Sequence, residues 1–373
     1  MKWLSMCVIL LAVLVVPVSA EDSINYTSSP DELVVFLNDI AYARDEITLP
    51  GEVDVRLVLP SQVFPDTLVV RENGERVPAY RLSQNNGQLT LLWEANANDA
   101  VRQVTVDYLM SGVGWSPKYD MWLGNDTDET VALDFFAEIR NPVLSLDDVH
   151  VKLVAGRVDT AQQLADISRV TANQYLAGYD QTAETQQSFT GTASIQYVYE
   201  LGSVSAEPGE IVYTQLLGDE FPTRRLYLWN APVSPQVSVI YKVRNRAELP
   251  LAEGIVRTYQ GGLFLGSDFI ETTPIGSEGS VTVGHLQNVR VNRSESQTRV
   301  EGSSREDDLH EVSLTLENFG DEDVEIEVVD VYPPNAIEFE FVQEPAREGD
   351  NVLRWVVKVE AGTTTEIEYS FKN

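Results

Sequence analysis

Alternation of apolar and polar residues runs through most of the chain, and it constrains the fold more than any other feature. In one clear example, Val53, Val55, Leu57 and Leu59 alternate with polar residues. Successive side chains of a β-strand point to opposite faces, so a period of two predicts strands with one buried face. We therefore expect a mainly β protein made of antiparallel β-sandwich-like domains, with long polar loops and little helix.

Short turn signals separate the alternating segments of the N-terminal part. They are Asn38-Asp39, Asn73-Gly74 and Asn85-Asn86-Gly87. Asn-Gly favours tight hairpins because both residues tolerate a positive φ. Residues 30–108 are thus predicted to form a small antiparallel β domain.

The C-terminal end shows the same alternation in four segments, at residues 312–316, 324–328, 353–359 and 367–371. Turn residues lie between them, including Asn318-Phe319-Gly320-Asp321. This pattern predicts the last four strands of a β-sandwich.

Two polar stretches lack a clear strand pattern. Residues 160–195 are rich in Gln, Thr, Ser and Ala and are predicted to be a polar insertion, either a mobile loop or a short surface helix. The charged stretch Ser294–Asp308 is predicted to be a long connection between strands.

The N-terminus has the pattern of an export signal. A basic Met1-Lys2 precedes an apolar run from Leu4 to Val16, and small residues lead up to Ala20. We predict a signal peptide over residues 1–20 and a secreted or extracytoplasmic protein associated with the cell surface. Retention of the segment as an N-terminal anchor is the alternative, although the run is shorter than the roughly 20 residues of a membrane span.

The single cysteine, Cys7, lies inside this predicted signal. After cleavage, the chain would hold no disulfide, no thiolate metal ligand and no cysteine nucleophile. Its stability would then come from burial of a hydrophobic core.

The formal net charge is −32, from 58 acidic and 26 basic residues. Such a charge disfavours binding to nucleic acid and to anionic membranes. The acids form either a solvated exterior or a surface that binds divalent cations. They are spread along the chain, which favours the first interpretation, so we expect no specific cofactor and at most weak, non-specific divalent-cation binding.

The residue patterns of common catalytic sites are missing from the sequence. It has no Gly-x-Ser-x-Gly, and His150, His285 and His310 lie in strand-like segments that favour surface or sheet-edge positions. No zinc motif occurs, and Gly112-Val113-Gly114 is interpreted as a strand bend. We therefore assign no catalytic, cofactor-binding or metal-binding residue, and we expect a protein that is not an enzyme.

Acidic clusters and glycosylation sequons remain as surface features. The acidic clusters at 125–129, 306–308 and 321–323 do not match a calcium loop and are interpreted as solvated turns. Three Asn-x-Ser/Thr sequons predict glycosylation if the host modifies such sites: Asn25, Asn125 and Asn292.

Several short motifs occur in a recognisable order. They are Gly114–Asp120, Asn141, Asp147–Val149, Val243–Asn245, Leu249–Gly254, Phe264–Gly266 and Thr273-Pro274. In this order the chain resembles the mucoidy-inhibitor-like secreted family, whose main domain is a domain of unknown function (4139). Leu49-Pro50-Gly51 and Phe64–Leu68 resemble the family's small N-terminal domain. The resemblance implies a small β domain over 21–108, the main β domain over 109–373, and an extracytoplasmic setting. It implies no activity, and the coiled coil that many members carry between the two domains is missing here.

Two aromatic residues of the first motif, Trp115 and Tyr119, have two interpretations. Large rings beside a proline suit a buried anchor where the second domain begins. The alternative is an aromatic platform for a ligand.

Three hypotheses for function follow. The first is a non-catalytic binding or structural protein at the cell surface, with a surface protein or a polysaccharide as partner. The second is an extracellular hydrolase that uses two carboxylates on carbohydrate or peptide. The third is a self-assembling surface-layer or filament subunit.

Overall fold

The computed structural model describes residues 23–50, 54–94, 101–124, 129–157, 197–299, 308–349 and 351–373. The predicted signal at 1–20, the sequon at Asn125 and the insertion at 160–195 lie outside these ranges. The described chain is almost entirely β-strand and has no helix of seven or more residues, which confirms the mainly β fold. None of its helical turns has the length and apolar character needed to cross a lipid bilayer.

The strands are numbered along the chain, and one 3₁₀ turn, Pro65–Thr67, precedes β5. Their bounds are β1 Ser23–Thr27, β2 Glu32–Phe36, β3 Ile40–Pro50, β4 Asp54–Leu59, β5 Val69–Glu72, β6 Glu75–Arg76, β7 Arg81–Asn85, β8 Gln88–Trp93, β9 Val101–Ser111, β10 Gly114–Leu123, β11 Thr130–Asn141, β12 Leu146–Ala155, β13 Tyr197–Ala206, β14 Glu210–Asn230, β15 Ser238–Arg244, β16 Gly254–Gln260, β17 Leu263–Ile270, β18 Glu278–His285, β19 Val289–Arg299, β20 Asp308–Asn318, β21 Val324–Val331, β22 Ile337–Phe341, β23 Ala346–Glu348, β24 Val352–Val359 and β25 Thr364–Lys372.

Two sheets share a core in the N-terminal part. One has seven strands in the order β13–β12–β2–β3–β9–β5–β6, and the other has the order β1–β4–β8–β7. The buried residues Val35 and Val106 of the first sheet and Leu57 and Leu91 of the second belong to one hydrophobic core. The seven-stranded sheet contains strands from both sides of residue 108, and β9 itself runs across that position.

The hairpin turns predicted from the sequence are present. Asp39 has φ 56° between β2 and β3, while Asn73 and Gly74 have φ 50° and 85° between β5 and β6. Asn86 and Gly87 have φ 51° and 82° between β7 and β8. Positive φ at both central residues gives a turn whose twist matches the flanking strands.

The central part curls toward a closed barrel. Its strands follow the order β17–β16–β10–β11–β14, then β15 pairs with the second half of β14, and β18 pairs with β15. Strand β18 returns beside β17, where the backbone N–H of Thr282 donates to Asp268 Oδ2. Phe135, Phe221 and Val256 are fully buried side chains in this part.

The C-terminal part is a sandwich with its own core. The second half of the 21-residue strand β14 pairs with β21, and the sheet continues through β24 to β23. The facing sheet has the order β19–β20–β25–β22. Leu314, Val328, Trp355 and Phe371 lie in the second hydrophobic core. All four segments predicted as terminal strands are strands here, namely β20, β21, β24 and β25.

The predicted connection over Ser294–Asp308 is wrong for the residues that the structure describes, and residues 300–307 lie outside the described ranges. Residues 294–299 are not a loop but continue β19, paired with β20 from Ser294↔Ser313 to Arg299↔Asp308. Because β19 lies at a sheet edge and this end of it is exposed on both faces, polar residues occupy it without alternation.

Candidate functional site: an aromatic face of the barrel

Trp115 and Tyr119 are both fully buried. Trp115 Nε1 donates to the carbonyl oxygen of Val154 at 3.0 Å, and the Tyr119 hydroxyl donates to that of Ala252 at 2.7 Å. The Tyr119 ring stacks on Phe135 with centroids 4.5 Å apart. Both rings are therefore buried anchors, and neither ring has a face that a ligand in solvent could contact.

Two asparagines of the motifs noted in the sequence also stabilise the backbone. The side chain of Asn245 is fully buried, donates to the carbonyl oxygens of Leu249 and Thr273, and accepts from the Ala247 N–H, with all three distances 3.0 Å. Asn141 accepts from the backbone N–H of Leu144 and donates to its carbonyl oxygen. These asparagines satisfy backbone groups at strand ends, which is a structural role.

The three histidines have different surroundings. His150 is exposed, with Nε2 3.3 Å from a carboxylate oxygen of Glu200, and His285 is also exposed. His310 is partly buried, and its side chain is 12 % exposed. Its ring stacks on Phe371 with centroids 4.7 Å apart, so this histidine is part of the sandwich packing.

One buried acid cross-links strands of the seven-stranded sheet. Asp107 accepts hydrogen bonds from the Tyr42 hydroxyl at 2.6 Å, from Arg44 Nε at 2.8 Å and from Arg71 Nη1. Burial raises the pKa of Asp107, but these hydrogen bonds outweigh it, and the pKa lies below its ordinary value. This carboxylate is fully engaged in holding β3, β5 and β9 together.

A second buried acid lies in the C-terminal sandwich. Asp330 is fully buried, with Arg293 Nε 3.0 Å from Oδ2 and the Tyr369 hydroxyl donating to the same oxygen at 2.9 Å. Burial raises the pKa of Asp330 above its ordinary value although Arg293 opposes the shift. The cluster joins the two sheets of the sandwich and offers no oxygen to a substrate.

The remaining surface features give no metal centre. Asp323, from one predicted acidic turn, pairs with Lys358 Nζ at 2.8 Å. Across the described residues, no three His, Cys, Asp or Glu side chains are grouped to hold a metal ion. The sequon residues Asn25 and Asn292 lie exposed on β1 and β19.

The outer face of the barrel carries several exposed apolar side chains. On strands β10, β14, β16 and β17 these side chains point away from the core, and we call this surface the aromatic face. Its exposed large apolar members are Trp122, Ile211, Tyr213, Ile255, Phe264, Leu265 and Phe269. Exposed apolar side chains gathered on one face are a reason to examine that face as a binding site.

Three neighbouring aromatic rings lie in one row of the aromatic face. Trp122, Tyr259 and Phe264 lie on the adjacent strands β10, β16 and β17, in register. Trp122 and Tyr259 stack with centroids 4.5 Å apart, and Tyr259 and Phe264 follow at 5.6 Å. Trp122 ends the stack on the β11 side, and it is 44 % exposed.

The side chain next to Trp122 across the strands is small. The register partner of Trp122 on β11 is Ala132, which is exposed, and Ala132 pairs in turn with Glu220 on β14. Two strand spacings separate Trp122 from Glu220, about 10 Å. We call the surface formed by Ala132, with Trp122 on one side and Glu220 on the other as its two walls, the Trp122 notch.

Asp134 closes one end of the Trp122 notch. Its Oδ2 accepts from Trp122 Nε1 at 3.3 Å, and its Oδ1 accepts from Gln215 Nε2 at 2.9 Å. Gly218 lies opposite Asp134, and a Cβ there would collide with the Gln215 amide and with Asp134. The carboxylate is thus held in a fixed orientation beside the indole.

The polar groups of the neighbouring rows are paired among themselves. Arg257 binds Asp120 with two hydrogen bonds, at 2.7 and 2.9 Å. The Glu138 carboxylate accepts a hydrogen bond from the Tyr213 hydroxyl at 2.9 Å. Lys118 Nζ lies 3.9 Å from the same carboxylate. The notch is therefore bordered by side chains that already have fixed positions, and fixed groups lose less entropy when a ligand binds.

Together, the fold and the site define a class: an all-β protein of packed sheets whose exposed candidate site is an aromatic and carboxylate surface. The family model described as Domain of unknown function (DUF4139) matches residues 104–373. The chain belongs to this family. None of the curated proteins matches the sequence.

The sequence prediction missed this site. It singled out Trp115 and Tyr119, which are on the inner face of β10, and not Trp122, which is on the outer face. The signal was present, because Trp122 alternates with Lys118 and Asp120 and so continues the polar side of the strand. The partners Ala132, Asp134 and Glu220 come from β11 and β14, and no local pattern predicts their pairing.

Proposed function

We propose that this protein is a secreted, non-catalytic glycan-binding protein of the cell exterior, which holds a polysaccharide against Trp122. The observation that carries the proposal is the Trp122 notch, where Trp122 is 44 % exposed, pairs across the strands with exposed Ala132 and donates to a fixed carboxylate. A sugar ring has an apolar C–H face that packs on an indole, and hydroxyls at its edge that donate to carboxylates.

A glycan fits this surface better than a flat protein partner does. A protein interface of ordinary size covers about 800 Å² on each side. Over the aromatic face it would also cover the Arg257–Asp120 pair and Glu138, and taking such charges out of water is costly. A sugar ring occupies the Trp122 notch alone and leaves those ion pairs in solvent.

The predicted export signal supports a role at the cell exterior. Residues 1–20 have the pattern of a signal peptide, which suits a protein outside the cytosol. The order of motifs that resembles the mucoidy-inhibitor-like family, including its small N-terminal domain, points to the same setting.

The geometry does not favour the hydrolase hypothesis. Asp120 and Asp134 are register partners on adjacent strands, so their Cβ atoms lie about 5 Å apart. However, glycosidases place two carboxyl groups on either side of the scissile bond. Asp120 and Asp134 point outward from the same open sheet face, so a chain lying on it would meet both acids from one side.

A binding experiment with one variant and one control tests the proposal. The purified protein should be retarded in gels that contain soluble polysaccharides, and Trp122→Ala should weaken the best interaction about tenfold, as expected for a central aromatic contact. Phe319→Ala is the matched control, because Phe319 is 58 % exposed and lies on the C-terminal sandwich. Retardation by no polysaccharide, or equal retardation of Trp122→Ala and the unmodified protein, would refute the proposal.

A further inference from the structure

Two carboxylates at the Trp122 notch differ from the other acids of the aromatic face. Asp120 is paired with Arg257, and Glu138 lies near Lys118. In the described structure, neither Asp134 nor Glu220 has a basic partner, and Asp134 contacts only the neutral donors of Trp122 and Gln215. The notch is therefore negatively charged where the rest of the face is neutralised.

The position of these charges restricts the ligand. Asp134 lies at the end of the notch and Glu220 forms the wall opposite Trp122. Sugars that carry carboxylate, sulfate or phosphate would place a negative charge beside both acids, on a chain whose net charge is already −32. A neutral sugar would meet no such repulsion, and a cationic sugar would be attracted.

Both walls of the notch would attract a protonated amine. Carboxylates form short, strong hydrogen bonds with ammonium groups. The face of an indole attracts a cation through its ring quadrupole, and tryptophan does so best among the aromatic side chains. Trp122, Asp134 and Glu220 thus combine the two kinds of group that recognise an ammonium beside an apolar ring face.

We propose that the Trp122 notch binds an amine-bearing sugar, a hexosamine unit whose amino group is free and protonated. This inference rests on the proposed glycan-binding function and adds the class of glycan. The pyranose ring packs on the indole, and the ammonium group lies between Asp134 and Glu220. Acetylation of the amine removes the charge and weakens binding.

Two ligands with the same backbone test the role of the amine. Isothermal titration calorimetry at about pH 6 compares a glucosamine hexamer with its fully N-acetylated counterpart, so that length and linkage stay constant. We expect the free amine form to bind about tenfold more tightly, from the ion pairs and the cation–π contact together. Equal affinities would overturn the inference while leaving glycan binding intact, whereas binding of neither ligand nor of any other polysaccharide would refute the proposed function itself.

Variants that remove charge test whether Asp134 and Glu220 cause the preference for the free amine. The double variant Asp134→Asn with Glu220→Gln should bind both hexamers with similar affinity, because the acceptor oxygens remain and the charges are gone. Asp321→Asn with Glu325→Gln removes the same charge from exposed positions on the C-terminal sandwich and should keep the preference. Loss of the preference in this control would show attraction to the overall negative charge and would overturn the proposal.

A hexapeptide of lysine tests whether the sugar ring matters. It carries six ammonium groups without a pyranose ring, and we expect it to bind at least about tenfold more weakly than the glucosamine hexamer. Equal or tighter binding of the peptide would overturn the assignment of an amino sugar.

Discussion

Replacing Asp45 with asparagine should remove the loss of unfolding free energy that this one residue causes between about pH 4 and pH 7. The Asp45 side chain is buried on β3. The Ser28 hydroxyl donates to its Oδ2 at 2.9 Å, and the backbone N–H of Ser29 donates to its Oδ1 at 2.7 Å. Burial raises its pKa from 3.8 to about 6, although the hydrogen bonds from Ser28 and Ser29 oppose the shift.

The direction of this pH effect on stability follows from which state binds the Asp45 proton more tightly. Between the unfolded pKa and the folded pKa of about 6, the folded protein binds the proton of Asp45 more tightly than the unfolded chain does. Stability therefore falls as the pH rises through this window, because the buried carboxyl must ionise. Between about pH 4 and pH 7 the loss from this one group is about 2 kcal/mol.

Urea unfolding at several pH values measures the effect. Asp107, Glu295 and Glu32 have lowered pKa values and act in the opposite direction, so the comparison is the difference between Asp45→Asn and the unmodified protein. That difference should shift in favour of the variant by about 2 kcal/mol from about pH 4 to pH 7. Parallel stability profiles for the two proteins would show that Asp45 does not titrate in this range.

Three further predictions concern the scaffold and export. Gly254→Ala should destabilise the protein by about 1–3 kcal/mol in urea unfolding, because a Cβ there would lie 2.7 Å from Pro117 Cβ and from its carbonyl oxygen. Gly284→Ala, where a Cβ meets nothing within 4 Å, is its control and should be nearly neutral. Asn245→Ala leaves buried backbone groups without partners and should cost about 1–3 kcal/mol in the same assay; a neutral result would contradict the role of its side chain. The intact mass of the exported protein should correspond to a chain that begins at Glu21, and a mass that includes residues 1–20 would indicate retention of the anchor.

Local features of the fold were predictable from the sequence because each depends on neighbouring residues. The Asn73-Gly74 turn follows from the tolerance of these two residues for positive φ, and the terminal strands follow from alternation. Strand pairing over long distances was not predictable. In the described residues β1–β4, β2–β12, β10–β16 and β14–β21 are parallel pairs, and such neighbours are joined by long crossovers that leave no local signal.

The candidate site escaped prediction for the same reason. The Trp122 notch needs Ala132 opposite Trp122, Glu220 opposite Ala132, and Asp134 one row away. Each of these positions depends on register between strands, and β14 also has a bulge opposite Phe135 and Phe136. The exposed Trp122 was the one visible signal, and its position on the polar side of β10 shows which face it would occupy.

Strand β10 connects the scaffold to the site. A slip of one residue would move every side chain of β10 to the other face of the sheet. Trp115 and Tyr119 oppose such a slip, because their hydrogen bonds to Val154 and Ala252 are made from the buried face. The alternate residues of the same strand therefore point to solvent at fixed positions, and Trp122 is one of them. The buried residues Trp115 and Tyr119 hold the register, and this register places Trp122 where a ligand can reach it.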